Sequence, residues 1–149
     1  MPTIDQIKKL REKTGAGIMD CRRALEEVKG DGKKAEELLA KWGIEKAEKK
    51  VDRVTNAGIV DAYIHAGGKV GVLVELLCET DFVAKTDQFE QVGKDLAMQV
   101  ASMGDEKFED QDFIKDGSRN VKGMIKELIA KTGENVKLGR VEKIELGGK

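Results

Sequence analysis

The residues able to do covalent chemistry in this chain of 149 residues are few: one histidine, His65, and two cysteines, Cys21 and Cys78. A thiol becomes a nucleophile when a neighbouring imidazole takes its proton and a third group orients that imidazole. His65 borders the turn Ala66-Gly67-Gly68, and Cys78 ends the apolar run Val70–Cys78. If the two runs pair as strands, His65 and Cys78 could meet, but no orienting third group stands out. The plainer reading is a turn histidine and a buried structural cysteine. Metal chemistry has less support: there is no Cys-x-x-Cys, no second histidine and no spaced ladder of acids. The phosphate-cradling pattern Gly-x-x-x-x-Gly-Lys-Ser/Thr is absent as well, and Thr14-Gly15-Ala16-Gly17 joins two helices rather than following a strand. The expectation is therefore a protein without cofactor, metal or enzymatic centre.

Composition narrows the class further. Lys+Arg number 27 and Asp+Glu 28, a formal net charge of -1, so no strong field points to nucleic acid or an anionic membrane. Charged residues make up 37% of the chain and hydrophobic ones 40%, which suits a modest core under a well-solvated surface. The opening MPTIDQIKKLREKTG lacks the apolar stretch of a signal peptide, and no run approaches the ~18 apolar residues that cross a bilayer. A cytoplasmic protein with reduced thiols is expected.

The elements that would position any site follow from punctuation and period. Thr3 with Gln6 has capping-box spacing, and Ile4, Ile7 and Leu10 follow at helical spacing before Thr14-Gly15. A second helix is expected from Gly17 to Lys29, burying Ile18, Cys21, Leu25 and Val28. A third, capped by Asp31, presents Ala35, Leu38, Leu39 and Trp42 and is expected to stop at Gly43. Residues 1–43 thus read as a three-helix domain of ubiquitin-associated size, and the charged residues 44–57 as a partly helical linker. From Gly58 the period becomes two. The runs GIVDAYIH and KVGVLVELLCE form a hairpin pattern, and the second, with Leu73 and Leu77 opposite Val72, Val74, Leu76 and Cys78, reads as a central strand covered on both faces.

A helix capped by Asp87 with Glu90 should then bury Phe89, Val92, Leu96, Ala97, Val100 and Met103. Residues 105–120 read as an acidic loop with at most a short helical turn, anchored by Phe108, Phe113 and Ile114. A last helix through Val121, Met124, Ile125, Leu128 and Ile129 ends at Thr132-Gly133, and NVKLGRVEKIEL alternates like a further strand. The fold class is α+β: an N-terminal three-helix ubiquitin-associated-like bundle, a linker, then a small antiparallel sheet backed by helices over residues 58–149.

Two places look costly for a fold that does nothing else. Ile18 and Met19 are adjacent apolar residues at a helix start, and only one can face the core, so Met19 either caps the bundle or is an exposed contact. Phe82, one of four phenylalanines, sits in a short connection between strand and helix. It is either a plug over the sheet end or an exposed anchor for a partner's pocket. Asp81 beside it could simply cap the following turn.

At this point three blocks add a resemblance. LREKTGAGIMDCRRALEEVKGD with KAEELLAKWGIEKAEKK resembles the N-terminal domain of bacterial elongation factor Ts. GVLVELLCETDFVAKTDQF is similar to that family's core signature, and AKTGENVKLGRVEKIEL to its C-terminal end. The resemblance implies a guanine nucleotide exchange factor that binds elongation factor Tu in its GDP-bound and nucleotide-free forms. It implies that Thr80, Asp81, Phe82 and Val83 insert near the partner's magnesium and phosphates, with Phe82 as the wedge. It further implies that Arg11, Ile18, Met19 and Arg22 face the GTPase domain, Ile18 replacing the usual methionine and Arg22 the common lysine.

Departures from the family pattern are also visible. Only a short acidic stretch separates Gly104 from Val121, where longer members carry a second core subdomain and a coiled-coil arm, and Gly139 stands where an arginine is usual. Single-core forms of the family act as dimers, so homodimerisation through the sheet is expected here. Two readings from other classes compete: an interaction module using the three-helix head alone, and a small thiol enzyme using Cys78 with His65.

Overall fold

The computed structural model describes residues 1–65 and 67–148; Ala66, the first residue of the expected turn signal, lies outside them. Three helices come first, α1 (Ile4–Thr14), α2 (Ile18–Glu27) and α3 (Gly32–Lys50). Thr3 and Gln6 exchange both capping-box hydrogen bonds, at 3.1 and 2.9 Å, and Asp31 accepts from the Lys34 amide to open α3. Leu10, Cys21, Ala24, Leu25, Ala35 and Leu39 close a small core. Ile18, expected inside, is 52% exposed, because the first residue of α2 lies beyond the edge of the bundle, one turn before Cys21.

The third helix does not stop at Gly43. It runs on to Lys50, through residues that are mostly good helix formers, and so takes up the first half of the expected linker. Gly43 is buried for a different reason than termination: a β-carbon there would lie 2.8 Å from Cβ of Ala130. It lets two helices approach closely. At its far end α3 contributes Ala47 to a second, larger core.

That core lies under one face of a sheet ordered β1 (Ala57–Ile64), β2 (Val70–Cys78) and β5 (Lys137–Glu145), all antiparallel. Between β2 and β5 come α4 (Asp81–Ala84), α5 (Asp87–Met103), a two-stranded ribbon of β3 (Asp112–Phe113) with β4 (Asp116–Asn120), and α6 (Val121–Thr132). Val72, Val74, Leu76 and Cys78 pack down onto Phe89, Leu96, Ala97 and Val100 of α5 and onto the apolar stripe of α6. Thr86 rather than Asp87 caps α5, accepting from the Phe89 amide, and Met103 at the helix end is exposed.

β2 is central, as its sequence pattern implies, but it is covered on one face only. Leu73 is 51% exposed, and its neighbours on the same open face, Val60, Ile64 and Ile144, are exposed too. The register slips between Val74 and Leu76 where they meet β5, and Glu75 fills the gap by accepting from the Arg140 amide at 3.1 Å. A side chain at Gly139 would run into that carboxylate. No described helix is long and apolar enough to cross a membrane.

The segment after α5 is more ordered than its acidic composition suggests. Phe108 and Phe113 are buried as expected, while Ile114 is exposed. The cause is a polar side chain inside the core. Gln99 donates to the Asp112 carbonyl at 2.9 Å and to Gln111 at 3.1 Å, and it accepts from the Ile114 amide at 2.9 Å. An amide that reaches three partners satisfies its own burial and fixes the ribbon. Gln99→Leu is therefore expected to cost about 1–3 kcal/mol. Urea unfolding together with faster amide exchange at residues 111–114 would show it; unchanged exchange there would count against this role for Gln99.

Candidate functional site

A thiol–imidazole centre does not form. The strand register sets Cys78 opposite Ala57, whereas His65 follows Ile64 at the other end of β1. Eight residues of strand separate those ends, roughly 26 Å. Burial pushes both thiols, Cys21 and Cys78, up from their ordinary values, which disfavours the nucleophilic thiolate. His65 has Tyr63 as its neighbour, with the hydroxyl 3.4 Å from Nδ1. Among the described residues no group of three or more His, Cys, Asp or Glu could hold a metal ion.

The structure instead builds a rigid mount around Phe82. β2 ends at Cys78, whose thiol points at the Thr80 carbonyl at 3.1 Å. Thr80 caps the single turn of α4 by accepting from the Val83 amide at 3.3 Å, so the cap is Thr80 rather than Asp81. Val83 and Ala84 turn inward and join the large core. Thr86 closes the segment by donating to the Val83 carbonyl at 2.7 Å. With both neighbours on its C-terminal side buried, Phe82 is left facing out and is 87% exposed. Of the two readings open from sequence, the buried plug is excluded.

What holds this mount is a residue that sequence reasoning missed. Glu134 lies just beyond the end of α6, after Gly133, which adopts φ 76° to end that helix. Its Oε1 accepts from the amides of Glu79 at 3.1 Å and Thr80 at 3.0 Å, and its Oε2 accepts from the Thr80 hydroxyl at 2.7 Å. The arrangement is reciprocal, since Glu79 accepts from the Asn135 amide at 2.7 Å. Asn135, itself buried, donates onward to the carbonyls of Arg53 at 2.8 Å and Val51 at 3.3 Å. An acid between a helix-ending glycine and a strand looks like an ordinary loop residue. Only a contact across more than fifty positions gives it meaning, and no local pattern carries that.

The second expected group lies on the helical head. Met19 is 72% exposed, so it is not packed as a cap over the bundle core. Ile18, also exposed, adjoins it, and Arg11 and Arg22 are at the surface. Arg22 is engaged with Glu26 one turn on, at 3.1 Å. The structure places these four on α1 and α2, and Thr80–Val83 on α4 and its cap; the two groups are on separate elements.

Removing Phe82 should leave the fold intact. Phe82→Ala is expected to change unfolding free energy by less than about 0.5 kcal/mol, as for a surface side chain. Glu134→Ala strips a charged acceptor from three donors and is expected to cost about 1–3 kcal/mol. Urea titrations of both variants check this, and a large loss in the Phe82 variant would return that residue to the core.

Comparison with known proteins bears on the same regions. The family model described as Elongation factor TS matches residues 79–149, which include the mount and its clasp. The chain is 41% identical to Elongation factor Ts of Thermotoga maritima, over 97% of this chain and 96% of that protein. It is 39% identical to Elongation factor Ts of Carboxydothermus hydrogenoformans, over 99% of this chain and 90% of the relative. The first alignment runs over 191 residues, more than this chain has, so a stretch of the relative has no counterpart here. Identity at this level over nearly the whole of both chains shows that this chain belongs to the elongation factor Ts family.

Proposed function

We propose that this chain is a guanine nucleotide exchange factor for elongation factor Tu and promotes GDP release by inserting Thr80–Val83 near the partner's magnesium and phosphate site. Family membership carries the general exchange role. The insertion is supported by one observation above others: the large aromatic Phe82 is held almost fully in solvent by a turn whose next two residues are buried. Exposing a phenylalanine costs water-contact free energy and gains the fold nothing. Its use lies in a partner's pocket.

The physics of such an insertion is direct. GDP is held through phosphate and magnesium contacts, whose strength depends steeply on geometry. An aromatic anchored between apolar elements of the GTPase stabilises an arrangement in which those contacts are displaced. Because the mount is clasped by Glu134 and capped by Thr80, little ordering entropy opposes insertion. Coupling between sites is reciprocal, so the factor binds nucleotide-free partner more tightly than the GDP-bound form. Arg11, Ile18, Met19 and Arg22 supply a second contact to the GTPase domain, with Met19 as its adaptable apolar centre. No covalent bond changes, and neither metal nor cofactor of this chain takes part. The protein acts in the cytoplasm, without contacting nucleic acid or membrane.

The open face of the sheet supports the further reading that two copies pair. Val60, Ile64, Leu73 and Ile144 give that face an apolar surface, interrupted by Glu75 with Arg140 at 3.5 Å and by Glu142, which stands opposite Leu73. A second copy laid against it would cover both sheets at once. Within the family, single-core forms act as dimers, with two copies supplying the full contact surface.

Release of a fluorescent GDP analogue from elongation factor Tu tests the exchange reading. Substoichiometric protein should accelerate release, and Phe82→Ala should reduce the acceleration at least about tenfold, the scale of an interface anchor. An unchanged rate in that variant would contradict the wedge. Sedimentation tests the pairing: a dimer is expected, and Leu73→Lys should sediment as a folded monomer. A strictly monomeric parent protein with full activity would contradict it.

A further inference from the structure

The two surfaces assigned to the partner sit on different cores, and the connection between them is built with unusual closeness. We infer that Gly43 is a positioning residue for exchange, because the crossing it permits fixes the spacing between Ile18–Met19 on the head and Phe82 on the body. The inference rests on the exchange reading above and assigns it a residue that contacts no partner.

α3 is a single helix of 19 residues, about 28 Å long by the α-helical rise. It belongs to both cores, giving Ala35 and Leu39 to the head and Ala47 to the body. Between them it crosses α6 at Gly43, where a β-carbon would stand 2.8 Å from that of Ala130. Real β-carbons do not approach so closely, so even alanine at 43 must push the helices apart or turn one against the other. The turn before α2 also lies against α6: a β-carbon at Gly15 would lie 3.2 Å from Cγ of Lys131, a flexible side chain, although the φ of 73° at Gly15 calls for glycine in any case.

The C-terminal part of α3 is then tied to both partner-facing groups. Lys46 reaches Asp20, the residue after Met19, at 2.6 Å. Beyond Lys50 the buried amide of Asn135 holds the carbonyls of Val51 and Arg53, and the Arg53 guanidinium lies 3.7 Å from Glu79. Glu79 immediately precedes Thr80, the cap of the wedge turn. The path from Met19 to Phe82 therefore runs through one packed helix, the Lys46–Asp20 and Arg53–Glu79 ion pairs, and the hydrogen bonds of Asn135. A partner engaged by both surfaces receives the wedge at one fixed distance from its other contact.

Swapping the two β-carbons tests this. Gly43→Ala adds the methyl group at the crossing, and Ala130→Gly removes the one it meets, so the double variant restores the close approach. Exchange helix-propensity effects at the two sites oppose each other in that pair. Spin labels at Glu27→Cys and Lys94→Cys, both exposed positions, read the head-to-body distance without any partner, since the native thiols are buried. Gly43→Ala should shift or broaden that distance and lower the maximal rate of GDP release roughly tenfold, as ångström-scale misplacement of a positioned group does. The half-saturating concentration should change less than the maximal rate, because the head contact itself is intact. Both distance and rate should return in the double variant.

An unchanged distance in Gly43→Ala overturns the coupling, whatever the exchange assay shows. A shifted distance with an unchanged maximal rate overturns the positioning role while leaving the wedge, judged by Phe82→Ala, in place. Loss that Ala130→Gly does not restore also overturns it, because the effect then lies outside the crossing. Failure of the parent protein to release GDP would instead sink the exchange reading itself, and the distance arm would still decide the coupling.

Discussion

The Glu134 carboxylate over the exit of β2 is the interaction on which the candidate site depends. A strand that ends in mid-sheet leaves backbone amides without ladder partners, and here one side chain from the far end of the chain takes two of them and a hydroxyl as well. Charged acceptors make the stronger class of hydrogen bond, and three donors converging on one carboxylate leave the turn little freedom. The consequence is geometric. With Thr80 fixed as a cap, the single turn of α4 has only one way to bury Val83 and Ala84, and that way turns Phe82 out.

The same clasp joins regions that the chain order separates. Asn135, next to Glu134, pins the carbonyls of Val51 and Arg53 just after α3, and Glu79 closes the loop by accepting from the Asn135 amide. Helix α3 then carries the connection into the small head, whose core of six buried residues would be marginal alone. Sharing α3 and the Gly43 crossing with the larger body gives that head a support it could not build from its own three helices. An exposed aromatic on a rigid turn and an exposed methionine on a supported helix suit the apolar part of the proposed contact, beside the charged Arg11 and Arg22.

Much of this was legible in the residues, for reasons that can be stated. Local signals worked where local physics decides: the Thr3–Gln6 capping box, the Asp31 cap, the glycines closing α1, α5 and α6, and the period-two run of β2 all correspond to the elements found. They failed where a distant contact overrides them. Gly43 carries a stop signal, yet it is a spacer against Ala130, and only the packed structure distinguishes the two. The acidic stretch after α5 reads as loop because its order comes from Gln99, a polar residue hidden inside a helix stripe. β2 looked doubly covered because Leu73 and Leu77 are apolar, whereas the far face is open within a single chain. Phe82 and Met19 stood out because each is expensive where it stands, and both are exposed in the structure. Glu134 did not stand out, since its partners lie more than fifty residues away.

Phe82 is proposed to enter the GTPase domain of elongation factor Tu beside the nucleotide's magnesium and phosphate site. The most direct measurement replaces Phe82 by the photoreactive p-benzoyl-phenylalanine, irradiates the complex, and maps the crosslinked peptide on the partner. A crosslink to elements flanking the magnesium and phosphate site is expected, formed with nucleotide-free partner and suppressed by excess GDP with magnesium. A crosslink to another domain, or one of equal yield whatever the nucleotide, would show that Phe82 is an anchor elsewhere and that exchange, if it occurs, has another cause.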